Sequence, residues 1–348
     1  MKKIPLGRSD ILVSDWCLGT MTYGNQTPQE DAHRQIDMAL DAGINFLDTA
    51  EMYPVNPVRA ETVGRSEEVI GAWVEKSGRR DEVVIATKVS GPNGGFVRGG
   101  KGYDGTVIPE AIDASLKRLK TDRIDLYQMH WPARGSYMFR QNWTYDPRGF
   151  DRQAILDHMA EVLQALDAAV KAGKIRAIGM SNESAWGMTQ WCRLAEENGW
   201  PRMVSVQNEY SLMCRLYDTD MAEMAVNEDV TLLSFSPLAA GLLTGKYQGD
   251  VTPDGSRRQV GDANMGGRMT PRTLPIVQVY LDLAAAHGLD PVHMAMAWQR
   301  TRPFPVSAIF GATTTAQLEH LLAGRDLRLS DEVVETIDAA HKANPMPY

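Results

Sequence analysis

Eight short apolar runs, each followed by a segment of helical period, predict an α/β fold: one (β/α)8 TIM barrel with an N-terminal β-hairpin and an extra C-terminal helix. Three observations carry this. The runs lack a clean apolar–polar alternation, which implies burial on both faces, as in a parallel sheet. The alternation of runs and helices continues without a change of composition, an internal repeat or a linker, so residues 1–348 read as a single domain. Polar residues recur at the far ends of the runs, where this architecture places active sites.

In chain order, residues 3–14 (KIPLGRSDILVS) read as a hairpin with a Gly-Arg-Ser-Asp turn, plugging the barrel bottom. WCLGT (16–20) precedes the helix 31–43, whose Ile36, Ala39 and Leu40 share one face. NFLDTA precedes 66–76, with Ser66 as N-cap and acidic residues in the first turn. EVVIATK (82–88) precedes 109–120, with Pro109 at the first helical position. IDLYQMH (124–130) precedes 154–173, closed by Gly173. IRAIGMSN (175–182) leads to 184–199, MVSVQNEY (203–210) to 218–229, and VTLLSFSPL (230–238) to the helices of 275–300, which form one crossover. PVSAIFGAT (305–313) leads to 315–324, and residues 330–343 are the additional helix. Three strand-to-helix loops, 89–108, 131–153 and 239–274, exceed the usual few residues and define the candidate site. The second carries Trp131, Tyr137, Phe139, Trp143 and Tyr145, and the third Lys246, Arg257, Arg258 and Arg268, suggesting an apolar vestibule with a basic clamp.

The bulk numbers narrow the function. The chain has 36 basic and 44 acidic side chains, a net charge of −8 with the signs mixed, which argues against a nucleic-acid partner. Three widely spaced cysteines exclude a disulfide framework and fit a reducing cytoplasm. No window is apolar enough for a membrane helix, and the first residues lack the apolar core of a signal peptide. The seven histidines show no HExxH or HxxxH spacing, so no metal site is expected.

Asp48, Lys88 and His130 end the second, third and fourth barrel strands, and Tyr53 lies in the loop after the second. This set suits carbonyl reduction. A phenol is a weak acid, with a pKa of about 10. A neighbouring Lys88 held by Asp48 favours phenolate and is expected to lower the pKa of Tyr53. His130 can orient the carbonyl oxygen. None of the four supplies a hydride, so a cofactor must. An isomerase using Lys88 as a Schiff base is an alternative on the same residues.

The segments LGTMTYG, NFLDTAEMY, VVIATK, DLYQMHWP, KIRAIGMSN, SVQNEYS, FSPLAAGLLTGKY and IFGATTTAQL occur in an order that resembles the aldo-keto reductases across essentially the whole chain. AEMYP, VSGP and MHWP are most similar to the family's bacterial Tas-type branch. The resemblance implies NADP(H) bound in extended form, a small-molecule carbonyl substrate, Tyr53 as general acid, Asp48 and Lys88 as its tuning pair, and His130 as the carbonyl-orienting residue. It assigns Ser181, Asn182 and Gln207 to the nicotinamide carboxamide, Phe235 to stacking on the ring, and Ser236, Pro237, Leu238 and Lys246 to the pyrophosphate. Gly311, Thr313 and Gln317 fall at the adenosine-phosphate end, Arg257 (Arg258 as alternative) at the 2′-phosphate, and Thr20 and Met21 beside the cofactor. Tyr23 and Trp131 are expected to line the substrate pocket. In QLEHL, His320 and Leu321 replace the Glu or Asn that the family often sets near adenine. The same barrel also serves some relatives as a cofactor-binding regulatory subunit. GKGYDG (100–105) fits GxGxxG by spacing but follows a Gly-rich loop, so it is read as a loop.

Overall fold

A computed structural model describes residues 1–348. Eight parallel strands close into a barrel: β3 (Trp16–Gly19), β4 (Phe46–Asp48), β5 (Val84–Val89), β6 (Ile124–Met129), β7 (Ile175–Ser181), β8 (Met203–Glu209), β9 (Thr231–Phe235) and β10 (Val306–Phe310), with β10 pairing back onto β3. The hairpin consists of β1 (Lys3–Pro5) and β2 (Leu12–Ser14), paired antiparallel. The predicted fold class is the observed one.

Burial on both strand faces hides a period of two inside the barrel. Phe46, Val84, Ala86, Leu126, Ala177, Val204, Leu233 and Ile309, with Cys17, form an apolar floor to which every strand contributes. Ile4, Leu6, Ile11 and Val13 of the hairpin pack onto this floor and plug the barrel, as the sequence predicts. Two residues further along the same inward rows stand Asp48 after Phe46, Lys88 after Ala86 and Gln128 after Leu126. Each strand therefore crosses from an oily bottom to a polar top within its own length. The outward residues, among them Leu47, Ile85, Tyr127 and Ile178, join the larger core beneath the helices.

The crossover helices are α1 (Gln29–Asp41), α2 (Arg65–Ser77), α3 (Val107–Leu119), α4 (Arg152–Lys171), α5 (Ala185–Asn198), α6 (Asp220–Asn227), the short α7 (Arg257–Val260), α8 (Thr273–Ala286), α9 (Pro291–Trp298) and α10 (Thr315–Ala323); α11 (Asp331–Ala343) follows the barrel. α4 shows why they form. Leu156, Met159, Leu163, Leu166 and Ala169 bury one stripe at helical spacing, and the Asp151 carboxylate caps the Gln153 and Ala154 amides. Two predicted helix starts are corrected. Ser66 is not the N-cap of α2, because Gly64 in left-handed conformation starts that helix and the Ser66 hydroxyl donates to Tyr23 O at 2.8 Å. Pro109 is the third residue of α3, still inside the first turn, where its missing N–H costs no helical bond. Residues 100–105 form a loop rather than a strand–helix junction, as read.

Candidate active site

The strand ends bring Asp48, Lys88, Tyr53 and His130 together. Lys88 is fully buried; its Nζ donates to Asp48 Oδ2 at 2.6 Å and to Thr49 O at 2.8 Å. Asp48 Oδ1 accepts from Gln207 Nε2 at 2.8 Å and Gln128 Nε2 at 3.4 Å, so β4, β5, β6 and β8 share one polar layer. The Lys88 ammonium lies 5.1 Å from the centroid of the Tyr53 ring, and the His130 ring meets Tyr53 edge to face at 5.6 Å. Burial works to lower the Lys88 pKa, but Asp48 and Tyr53 outweigh it and the ammonium is held above its ordinary value.

Tyr53 corrects the electrostatic expectation. Burial raises its pKa and outweighs the lowering by Lys88, so the net direction is upward. The phenol is therefore a firm proton holder until a base develops next to it. Burial, and then the Lys88 charge, push the His130 imidazole well below its ordinary range. His130 is neutral at pH 7, and its Nδ1 has no partner.

That depression has a consequence for stability. The unfolded chain protonates His130 near pH 6.5, the folded chain only at lower pH. Between those values the unfolded state binds the extra proton, so this contribution is complete above about pH 6.5 and is lost as the pH falls through the window. Urea denaturation across that range should show a stability slope that flattens in His130→Gln; an unchanged slope would assign the acid sensitivity elsewhere.

The residues assigned to a nicotinamide dinucleotide line the same barrel top. Asn182, at φ 55°, donates through Nδ2 to His130 O at 2.9 Å, while its buried Oδ1 has no partner. Ser181 Oγ donates to Gln207 O at 2.8 Å. An orphaned buried acceptor between a hydroxyl and an amide fits a carboxamide N–H. Phe235 ends β9 half-buried; Ser236 (φ 54°) and Leu238 are half-buried and Pro237 is buried. Lys246 and Arg257 have no acidic partner. Burial and the neighbouring Arg268 push Arg257 down to about 10, and burial and Arg257 lower Lys246. Two unneutralised cations, Arg257 half-buried and Lys246 exposed, fit phosphate groups. Arg258, the alternative, is paired with Asp250 at 2.7 Å. Gln317 Oε1 accepts from Thr313 N at 2.9 Å and Thr313 Oγ1 at 3.0 Å beside exposed Gly311. The Thr20 hydroxyl donates to Asp48 O at 2.9 Å, and Met21 Sδ receives Arg257 Nη2 at 3.7 Å.

Of the two residues assigned to the pocket, Trp131 stands beside His130, with ring centroids at 4.8 Å, and meets Phe139 edge to face at 6.1 Å. Gly91 leaves room for this indole, since a Cβ there would fall 2.3 Å from Trp131 Nε1. Tyr23 is a correction: its ring is wholly buried in the outer core, where its hydroxyl donates to Gln35 Oε1 at 3.3 Å, and it does not face a pocket. Trp143 also stands apart, 63% exposed.

Sequence reasoning did not single out the acids that position the long loops. Glu51 takes both guanidinium nitrogens of Arg98 at 2.7 Å and the Ser90 amide at 2.6 Å, fixing the first loop. Arg134 of the second loop pairs with buried Glu183. Glu209, at the end of β8, accepts from Arg140 of the second loop at 2.6 Å, from Arg268 of the third at 2.8 Å and from the Tyr348 hydroxyl at 3.4 Å. Each is an acid at a strand end facing an arginine in a long loop, which is the available sequence signal. Glu209→Ala leaves two guanidinium groups facing each other with no counter-charge. Removing one partner of a buried pair costs about 3–5 kcal/mol, so a loss of that order is expected in chemical denaturation.

With this geometry in place, comparison with known proteins gives the class. Residues 16–342 match the model of the Aldo/keto reductase family, and the chain belongs to that family, which implies an oxidoreductase. The chain is 42% identical over 347 residues to Protein tas of Escherichia coli (strain K12), covering 97% of each chain. It is 32% identical over 346 residues to the Uncharacterized oxidoreductase YrpG of Bacillus subtilis (strain 168), covering 96% of this chain and 94% of that one. It is also 29% identical over 351 residues to a Probable voltage-gated potassium channel subunit beta of Oryza sativa subsp. japonica, covering 98% of this chain and 96% of that one. No helix is long and apolar enough to cross a membrane.

Proposed function

We propose that the protein is an NADPH-dependent reductase that converts an aldehyde or ketone to an alcohol, with Tyr53 as general acid. The observation that carries this reading is the buried Lys88–Asp48 pair set beneath the Tyr53 ring, with neutral His130 at its edge. NADPH, once bound, supplies the hydride to the carbonyl carbon. Ser181, Asn182 and Gln207 would hold its carboxamide, Phe235 its ring face, and Ser236, Pro237, Leu238 and Lys246 its diphosphate. Arg257 would take the 2′-phosphate, and Gly311, Thr313 and Gln317 the adenosine end, with Thr20 and Met21 alongside.

The chain's own residues manage the proton. Burial keeps it on Tyr53 at neutral pH, so the donor form is populated when a carbonyl oxygen arrives. As negative charge grows on that oxygen, the phenol proton transfers to it, and the Lys88 ammonium stabilises the phenolate left behind. Asp48 keeps the ammonium charged and aimed, and the Gln207 and Gln128 amides keep Asp48 in place. His130, uncharged, can donate one hydrogen bond to the carbonyl oxygen without competing as an acid. Trp131 and Phe139 beside it favour an apolar or aromatic carbonyl compound. We place this activity in the cytoplasm, consistent with free Cys17, Cys192 and Cys214.

A second reading, an NADPH-binding regulatory subunit with little turnover, draws on the similarity to a protein named as a probable potassium channel subunit beta. Following NADPH absorbance with a panel of aliphatic and aromatic aldehydes and ketones separates the two. Turnover supports the reductase. Tight NADPH binding with no turnover on any carbonyl supports the subunit and sinks the reductase.

A further inference from the structure

Asp290, His293 and His320 stand apart from the sequence expectation. Their numbering gives no metal signature, yet the packing of α9 against α10 brings one ligand atom from each to within 4.8 Å of the others. His320 Nε2 lies 3.2 Å from Asp290 Oδ2, and His293 Nδ1 lies 4.0 Å from Asp290 Oδ1. The two imidazoles face each other with centroids 4.9 Å apart and planes 30° from parallel.

The hydrogen bonding around His293 fixes which of its nitrogens faces the cluster. Its Nε2 is 2.6 Å from the backbone carbonyl of His320, an atom that can only accept, so Nε2 carries the proton. His293 Nδ1 is then the ring nitrogen turned toward the carboxylate of Asp290. One nitrogen from each imidazole and a carboxylate oxygen therefore converge on one point, the donor set of a cation site. Fixing the tautomer of a ligating histidine through a carbonyl on its other nitrogen is the usual outer-shell arrangement of metal sites. The ring is also locked: Gly324 packs so closely that a Cβ there would sit 2.4 Å from His293 Cγ. Asp290 is held as well, since its Oδ1 caps the Val292 and His293 amides at 2.8 and 3.1 Å, leaving Oδ2 to face His320 Nε2. His320, about half exposed, keeps the site open to solvent.

We infer that Asp290, His293 and His320 form a site for a zinc-class divalent ion, bound through His293 Nδ1, His320 Nε2 and Asp290 Oδ2, with solvent completing the shell. Two imidazoles and one carboxylate suit Zn2+ at about 2.0–2.2 Å per ligand, and a tetrahedral ion with three protein ligands keeps one open position. The His320–Asp290 edge already has the right length, and the remaining edges must shorten by movement of the Asp290 and His320 side chains when an ion binds. A bound ion ties α9 to α10, the helix that also carries Gln317. His320 thus has a role that its departure from the family pattern does not otherwise explain. The site is independent of the reductase reading, and its test does not use activity.

The experiment is a Co2+ titration of the full-length protein after dialysis against chelator, read by visible absorption, with Zn2+ competition followed by calorimetry. Wild type should bind one ion per chain, and Zn2+ should raise the thermal midpoint. His320→Ala, at an exposed position that leaves both helices intact, and Asp290→Asn, which keeps the helix cap, should each weaken binding on the order of a hundredfold, the upper end of what even outer-shell partners cost. They should also abolish the thermal shift. Equal affinity in wild type and both variants, or no one-to-one binding in wild type, would leave an ordinary His–Asp hydrogen bond and overturn the proposal.

Discussion

Tyr53→Phe should lower kcat for carbonyl reduction by roughly a hundred- to ten-thousandfold, the usual worth of a positioned proton donor, while NADPH affinity stays close to wild type. The substitution removes one oxygen and keeps the ring that His130 meets edge to face. The Lys88–Asp48 pair is retained as well, since its contacts are to Thr49, Gln207 and Gln128 and none of them runs through Tyr53. Steady-state kinetics together with fluorescence titration of NADPH separate the two quantities. A Tyr53→Phe enzyme with undiminished kcat would remove Tyr53 as the acid and redirect attention to His130, whose proton is otherwise too poorly held to serve. A parallel fall in NADPH affinity would show that the ring, more than the proton, was lost.

Asp48→Asn should destabilise the fold as well as the chemistry. Lys88 is fully buried, and Asp48 is its one carboxylate partner. Without that partner the ammonium either stays charged with no counter-ion or gives up its proton, and leaving a buried charge uncompensated costs about 3–5 kcal/mol. The asparagine Nδ2 would also turn a donor toward another donor. The double change Asp48→Asn with Lys88→Met removes the charge together with its partner and should recover much of that loss, because contacting residues are not additive. Denaturation of both variants and of Lys88→Met closes a mutant cycle. Both single variants and the double variant should be catalytically crippled, so the cycle distinguishes stability from chemistry. If Asp48→Asn costs no more than an exposed substitution, the buried pair does not anchor the barrel top.

The strands and the three polar residues at their ends, with Tyr53 in the loop beyond, were legible in the sequence because an apolar run that stops at Asp, Lys or His has few structural uses for those groups. The hairpin was legible as a plug, but the apolar floor it packs on was not, because burial on both strand faces hides the alternation of inward and outward residues. Local chemistry misled where two explanations of one residue compete. Ser66 looks like a cap, but Gly64 starts α2 and the hydroxyl serves the Tyr23 carbonyl. Tyr23 looks like a pocket residue by position, but its ring turns outward into the core against Gln35. The pKa of Tyr53 could not be derived from its neighbours alone, since the Lys88 charge is countered by burial, a property of the folded barrel. Contacts between residues far apart in the chain were the least accessible. Glu51 with Arg98, Glu209 with Arg140 and Arg268, and Asp290 with His320 pair through loop and helix placements that spacing does not encode.

Glu209 sets a rule for how this enzyme can change. Its two carboxylate oxygens are shared among a guanidinium from each of two long loops and the hydroxyl of Tyr348, so those three segments do not vary independently. Transplanting either loop from a relative that lacks an arginine at the matching place would leave the remaining cation, or the carboxylate itself, without its full complement. New substrate ranges should therefore arise through paired exchanges, with Arg140 and Arg268 conserved or lost in concert with Glu209. A library that randomises both loops while holding these three positions fixed should yield more folded members than one that varies them freely.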